Sequence, residues 1–223
     1  SERDNVDLPS GWSIKRIKQI GEIKYGLGQP PKELIGGLPI IRATNVFRGQ
    51  IDEKNMLYVD PEDVPYSRDP VLREDDIIVV RSGAYTADSA IIPKKYAGAI
   101  TGYDMVLRCN PGISAKFISY CLLSKYVLND QMLLSSLRAA QPHLNKEELG
   151  NTYIFLPRYS DQVKIADRLD KLYINISNVL NNTKKQIKIL QDYRKSLIHE
   201  CVTGKKQVVD MSTIPKMETI QNN

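Results

Sequence analysis

The sequence predicts an α+β chain: a globular domain with a mixed or antiparallel sheet, followed by one long C-terminal coiled-coil helix. Three observations predict it. Short runs rich in β-branched residues alternate with dense turn signals over about the first 155 residues. Two capped helical stretches interrupt these runs late in that segment. From Ser160 to Gly204 there is neither an intervening glycine nor a proline, and apolar residues recur at intervals of three and four.

The elements follow in order. Leu8-Pro9-Ser10-Gly11-Trp12 reads as an N-terminal turn whose tryptophan is expected to anchor in the core rather than to serve as a stacking platform. Strands are expected at Leu38–Ala43, Asp76–Arg81, Ala90–Ile92, Tyr103–Cys109 and Tyr153–Leu156, separated by Gly36-Gly37, Ser82-Gly83, Gly98, Gly102 and Asn110-Pro111-Gly112. Ser114 is a plausible N-cap for a helix through Phe117, Cys121, Leu128 and Met132. Asn145-Lys146-Glu147-Glu148 has capping-box spacing for a second, short helix. Ser160-Asp161 then supplies an N-cap and a first-turn acid, where the helix dipole favours negative charge.

Beyond that cap, Ala166, Leu169, Tyr173, Ile176, Leu180, Thr183, Ile187, Leu190, Arg194 and Leu197 follow a 3,4 spacing without a break. These are a and d positions of a heptad stripe, with Thr183 and Arg194 as polar members that can fix pairing register. A helix of about 40 residues is about 60 Å long. Folding it back onto its own domain is the plainer alternative, and a domain of about 13–15 Å radius is too small to cover it. The expected organisation is a domain over 1–159, a dimerisation helix over 160–204 and a polar tail over 205–223, with Leu169–Leu197 of the stripe as the dimer interface.

Hydrophobic content of 42% and charged content of 26% are those of a soluble folded protein. No run of about 18 apolar residues occurs, so no membrane partner is expected. The N-terminal residues are polar, and Cys109, Cys121 and Cys201 lie far apart with only His143 and His199 for company. That pattern argues against a disulfide scaffold or zinc site and predicts a cytoplasmic protein. The net charge of +5 is mild, but Asp52 to Asp76 holds nine acids against three bases. The rest of the domain is therefore basic, an asymmetry that suits a polyanion on one face and leaves simple solubility as the alternative.

Motifs for catalysis are weak. Lys24-Tyr25-Gly26-Leu27-Gly28 contains GxG without a convincing βαβ context, and Gln29-Pro30-Pro31-Lys32 lacks the polar acceptor and aromatic of an amino-methylation motif. Asp52-Glu53-Lys54 has a DxK spacing common by chance. No P-loop or nucleophile elbow is present. The chain reads as a binder that needs no metal and no cofactor of its own.

Donors in glycine-rich turns suit DNA contact. Pro39-Ile40-Ile41-Arg42-Ala43-Thr44-Asn45 is an apolar strand ending in Arg, Thr and Asn, with Arg48 following. Val79-Val80-Arg81-Ser82-Gly83-Ala84-Tyr85-Thr86 repeats the pattern. Glycine admits close backbone approach to phosphate, Arg can bond guanine at two points, and Asn or Gln adenine. For Arg42 and Arg81 an ion pair with a nearby carboxylate stays equally open. Arg138-Ala139-Ala140-Gln141-Pro142-His143 is a further donor-rich loop, or an ordinary one. The candidate DNA-binding residues are Lys24, Tyr25, Gln29, Arg42, Thr44, Asn45, Arg48, Arg81, Ser82, Gly83, Tyr85, Thr86, Arg138, Gln141 and His143.

These segments, in order, resemble the specificity (S) subunit of type I restriction–modification systems. Leu8–Trp12 looks like the opening of its target-recognition domain. Tyr25-Gly26, Pro39-Ile40-Ile41-Arg42 with Thr44-Asn45, and Asp76-Ile77-Ile78-Val79 with Arg81-Ser82-Gly83 follow. Leu156-Pro157 with Asp161-Gln162 and Ile165-Ala166 looks like the entry to its long helix, though many members carry Glu where Asp161 stands. Ser196-Leu197-Ile198 through Thr203-Gly204-Lys205 resembles the helix exit. The likeness spans about residues 8–205.

A full member has two recognition domains and two antiparallel long helices; this chain has one of each. The resemblance therefore implies either a half-sized subunit or a fragment of a longer one; the half-sized form is the expected one, homodimerising through residues 160–203 and reading double-stranded DNA. It further implies partners: adenine-methylating modification (M) subunits that use S-adenosylmethionine, and restriction (R) subunits that translocate and cleave. Two copies of one reader on a twofold axis imply a bipartite palindrome with a short undefined spacer. The rival reading is a coiled-coil adaptor that binds no DNA.

Overall fold

The structure, a computed structural model, describes residues 8–137 and 142–206. The chain divides into two compact units, Ser1–Leu169 and Asp170–Asn223. The first unit contains eleven strands among the described residues: β1 (Ser13–Arg16), β2 (Gly21–Tyr25), β3 (Glu33–Ile41), β4 (Val46–Phe47), β5 (Gln50–Ile51), β6 (Leu57–Val59), β7 (Ile77–Val79), β8 (Ser89–Ile91), β9 (Ile100–Thr101), β10 (Met105–Cys109) and β11 (Tyr153–Leu156). Its helices are α1 (Ile17–Ile20), α2 (Ala115–Leu123), α3 (Lys125–Val127), α4 (Leu134–Ser136), α5 (Lys146–Asn151) and the start of α6 (Tyr159–Val202).

The central sheet has the order β2-β10-β7-β8, antiparallel throughout. A second sheet, β6-β3-β9, is mixed, because β3 and β9 run parallel. Two further pairs, β1-β11 and β4-β5, complete the set, so the expected α+β architecture with mixed and antiparallel sheets and a long C-terminal helix is the one observed.

The uninterrupted apolar run at 77–80 makes β7 a strand buried on both faces. Ile77 and Val79 join Met105, Leu107, Ile118 and Leu122 in one core, while Ile78 and Val80 join Ile41, Leu72, Ala90 and Ile92 in another. Period-two alternation thus feeds two cores from one strand. Asp76, at the entry to β7, is 2% exposed. It accepts from Arg108 Nε at 2.8 Å and Nη2 at 2.7 Å, a two-point ion pair between neighbouring strands.

The caps at Ser114 and Asn145 form as expected. Ser114 Oγ accepts from Phe117 N at 3.3 Å, and Asn145 Oδ1 accepts from Glu148 N while Glu148 returns the bond to Asn145 N. The first helix is shorter than expected. It ends at Leu123, where Ser124 turns extended and its Oγ accepts from Val127 N; the chain then continues through α3, a π-helical segment Leu128–Leu133 and α4. The strand expected from Tyr103 starts at Met105. Three N-terminal elements, β1, α1 and β2, carried no recognised sequence signal.

α6 begins at Tyr159, so Ser160, expected as its N-cap, lies inside the first turn, and Arg158 O accepts from Asp161 N and Gln162 N. Gln162 is 2% exposed, and it fastens the start of this helix. Its Oε1 accepts from Ser114 N at 2.9 Å and its Nε2 donates to Pro157 O at 2.9 Å. One amide therefore serves the first turn of α2 and the proline that precedes α6. Ala166 reaches the first unit's core.

Within the second unit α6 runs on to Val202, and Gly204 follows in the left-handed region (φ 72°) that suits a helix stop. Tyr173, Ile176, Leu180, Ile187 and Leu190 of the heptad stripe are all exposed, while Leu169 and Leu197 are half-buried. Thr183 satisfies its hydroxyl within the helix by donating to Val179 O at 3.0 Å. Among the described residues no helix is long and apolar enough to cross a membrane.

Candidate nucleic-acid interface

β7 leads straight into the loop that carries Arg81. The loop is tied at both ends: Val80 N donates to Asp88 O at 2.8 Å, and Ala87 N returns to Val80 O at 2.9 Å. Gly83 takes φ 94°, and Thr86 closes the turn by donating its hydroxyl to Gly83 O at 2.7 Å. Arg81 O accepts from Leu144 N at 2.8 Å, and Ser82 pairs with His143, which pins the 142–144 segment alongside.

Glycine brings a second and third segment to the same place. A Cβ on Gly26 would lie 1.9 Å from Gly102 O, so only glycine lets the end of β2 lie against the approach to β10. Tyr25 and Tyr103 thereby flank Arg81. Its guanidinium carbon sits 4.3 Å from each ring centroid, a cation in contact with two aromatic rings. Tyr25 is held in turn, its hydroxyl accepting from Lys146 N at 2.9 Å.

Arg81 Nη2 lies 3.4 Å from His143 Nε2, Nη1 lies 3.5 Å from Tyr103 O, and the buried Nε has no partner among the described residues. Beneath it, Asp104 accepts from Arg81 N at 3.1 Å. Burial pushes the Asp104 carboxyl above its ordinary value, opposed by the Arg81 and Ala43 N–H groups and by the Arg81 charge.

Arg42 holds the neighbouring loop. Its Nη2 donates to Asn55 O at 3.1 Å, and its buried Nε is likewise unpartnered among the described residues. A cavity of about 210 Å³ runs between the two arginine loops, lined by Arg42, Thr44, Ser82, Gly102, Tyr103 and Asp104 among others. Beside the Arg81 loop, Phe47 meets Tyr85 edge to face at 6.4 Å, and Arg48 lies 5.4 Å over the Phe47 ring.

The structure brings Tyr25, Arg81 and His143 into direct contact, and sets Arg42, Thr44 and Ser82 on one cavity. It gives other candidates local duties. Asn45 is fully buried, donating to Asp52 O at 3.0 Å and Lys54 O at 3.4 Å, so its amide organises the β4–β5 hairpin. Lys24 bonds Asp69 at 2.6 Å. Gln29 and Gly83 are exposed. Arg138 and Gln141 lie outside the described residues. Among the described residues neither arginine of the two turns makes a carboxylate ion pair of the kind left open by the sequence; Arg81 meets Asp104 through its backbone N–H.

Sequence reasoning missed Tyr103 and Asp104. Gly102-Tyr103-Asp104 repeats the pairing of glycine with an exposed aromatic seen at Tyr25-Gly26, and that was the available signal.

Burial pushes the Cys109 and Cys121 thiols up to about 12, which keeps them protonated at neutral pH. Among the described residues no group of three or more His, Cys, Asp or Glu could hold a metal ion.

Planar cations and exposed rings thus lie together in turns where the backbone comes close, in a chain that also carries one long helix. The chain belongs to the type I restriction modification DNA specificity domain family, whose family model matches residues 9–190. That class is non-catalytic.

The chain is 24% identical over 215 residues to the Escherichia coli type I restriction enzyme EcoBI specificity subunit, covering 91% of this chain and 44% of that protein. It is 22% identical over 210 residues to the MjaIX specificity subunit of Methanocaldococcus jannaschii, covering 92% and 46%. Its fold is similar to that of the HsdS subunit from Thermoanaerobacter tengcongensis, with a TM-score of 0.58 at 16% identity over 97% of this chain and 54% of that one. The chain spans about half the length of the curated relatives it matches.

Proposed function

We propose that this chain recognises duplex DNA sequence as the specificity component of a type I restriction–modification complex. Residues 1–159 read DNA, residues 160–204 pair with the same helix of a second copy, and the dimer presents two readers to a bipartite palindromic site. Adenine methyltransferase and restriction subunits join it and supply the chemistry, the former with S-adenosylmethionine. One observation carries the dimeric part: a stripe of large apolar side chains at heptad spacing stays exposed along α6 of a DNA-specificity family member.

The test is co-expression with candidate adenine methyltransferase chains, co-purification, and mapping of methylated sites in the host DNA. A stable assembly methylating a two-part symmetric sequence is the expected result. Methylation confined to an asymmetric site would remove the twofold arrangement. A chain that neither co-purifies nor retains DNA in a salt-dependent way would favour the adaptor reading.

A further inference from the structure

The inference drawn here rests on the DNA-reading function just proposed and gives it a chemical target. We infer that Arg81 reads a guanine edge in the major groove, and that Tyr25 and Tyr103 are positioning residues that fix the plane of its guanidinium. A guanidinium packed over two rings has few orientations open to it, and its N–H groups all donate within its own plane. The two ring centroids, each 4.3 Å from the guanidinium carbon, restrict how the side chain can turn, and both tyrosines remain nearly half exposed, so the cluster lies at the surface.

Within the plane the present bonds are weak. Nη1 to Tyr103 O at 3.5 Å and Nη2 to His143 Nε2 at 3.4 Å both exceed the ordinary N–H···O range. His143 can accept there only as the neutral tautomer protonated at Nδ1. Such contacts hold the side chain ready and exchange for better acceptors at little cost. The backbone beneath is fixed by Asp104 and by Leu144, so the fork has a defined origin.

Two acceptors side by side in one plane are what such a fork requires. Guanine presents them as O6 and N7; adenine sets a donor beside its acceptor, cytosine offers a donor, and thymine a single acceptor with a methyl group. A phosphate also accepts a fork, yet it can be met from many directions, and a freely rotating Arg or Lys serves it equally. Restraining the cation against two rings suits discrimination between base edges.

The experiment selects binding sites for the purified full-length chain from a randomised duplex pool at fixed salt, with thermal melting of each variant alongside. The wild type is expected to enrich a motif containing a required G·C pair. Arg81→Lys and Tyr103→Leu should each lose preference at that one position by about tenfold or more, while other positions persist. Tyr103→Phe keeps the ring and should keep the preference. If Arg81→Lys leaves every position intact, the guanine assignment falls while DNA reading stands. If it weakens all sequences equally and flattens the salt dependence, Arg81 contacts phosphate. If Tyr103→Phe fails as Tyr103→Leu does, the ring does not position the fork. A wild-type chain that enriches no motif overturns both this inference and the proposed function.

Discussion

In the first unit, Ile77, Ile78, Val79 and Leu107 are each fully buried, whereas in the second Ile176, Leu180 and Leu190 keep more than half their surface in solvent. The residue types are alike. In the first unit, alternate side chains of one strand enter two cores, and polar groups such as Gln162 and Asn45 are matched bond for bond within the fold. Along α6 the backbone bonds are made within the helix, but the heptad side chains Tyr173, Ile176, Leu180, Ile187 and Leu190 stand exposed. Covering a Leu or Ile is worth about 1.5–3 kcal/mol, so the globular unit carries its stabilisation internally while the stripe can realise its own only by association.

The largest expected effect breaks that association. Ile176→Asp with Ile187→Asp places two carboxylates in the stripe, and light scattering should show monomers at concentrations where the wild type dimerises, the dissociation constant rising at least about a hundredfold. Melting of the globular unit should not change. Dimers that survive both substitutions would show that another surface pairs the chains.

Next in size is a change confined to the globular unit. Asp76→Ala removes the carboxylate that receives two Arg108 donors and Arg73 N. Breaking a buried ion pair from one side costs about 3–5 kcal/mol. Arg108 retains Asp69 at 3.5 Å and some exposure, which places the expected loss near the lower end. Denaturant unfolding measures it, and a loss below about 1 kcal/mol would mean the pair contributes little. The oligomeric state of the folded fraction should stay that of the wild type.

The two regions also differed in how much the sequence disclosed. The Ser160–Gly204 stretch announces itself locally, because spacing and the absence of helix breakers lie in one continuous segment. The 77–80 run and the caps at Ser114 and Asn145 are equally local. β1 was hidden because it is four residues long and pairs with β11, some 140 residues away, so no nearby pattern marks it. The break at Ser124 depends on a side chain recapping the next turn within an apolar stretch that reads as one helix. The Arg81 site is the hardest case. Arg81 and Tyr25 are recognisable singly, but their stacking with Tyr103 follows from the β2–β10–β7 register and from a glycine contact between Gly26 and Gly102, which only the folded chain assembles.

The smallest expected effect concerns a polar group that the globular unit buries at an electrostatic cost. Asp104 is 2% exposed and lies against Arg81, yet burial outweighs its donors and raises its carboxyl above the ordinary 3.8. The folded state then holds the proton more tightly than the unfolded chain. Stability contributed by this residue is therefore full in acid and declines as pH rises past the ordinary value toward the folded one, the loss persisting at neutrality. Asp104→Asn keeps the oxygen that accepts from Arg81 N and removes the ionisation. Measured against the wild type, its melting temperature should compare more favourably at pH 7 than at pH 4. A difference that is flat with pH, or that grows in the opposite direction, would mean Arg81 compensates the buried carboxylate fully and that the interior beneath the stack carries no electrostatic penalty.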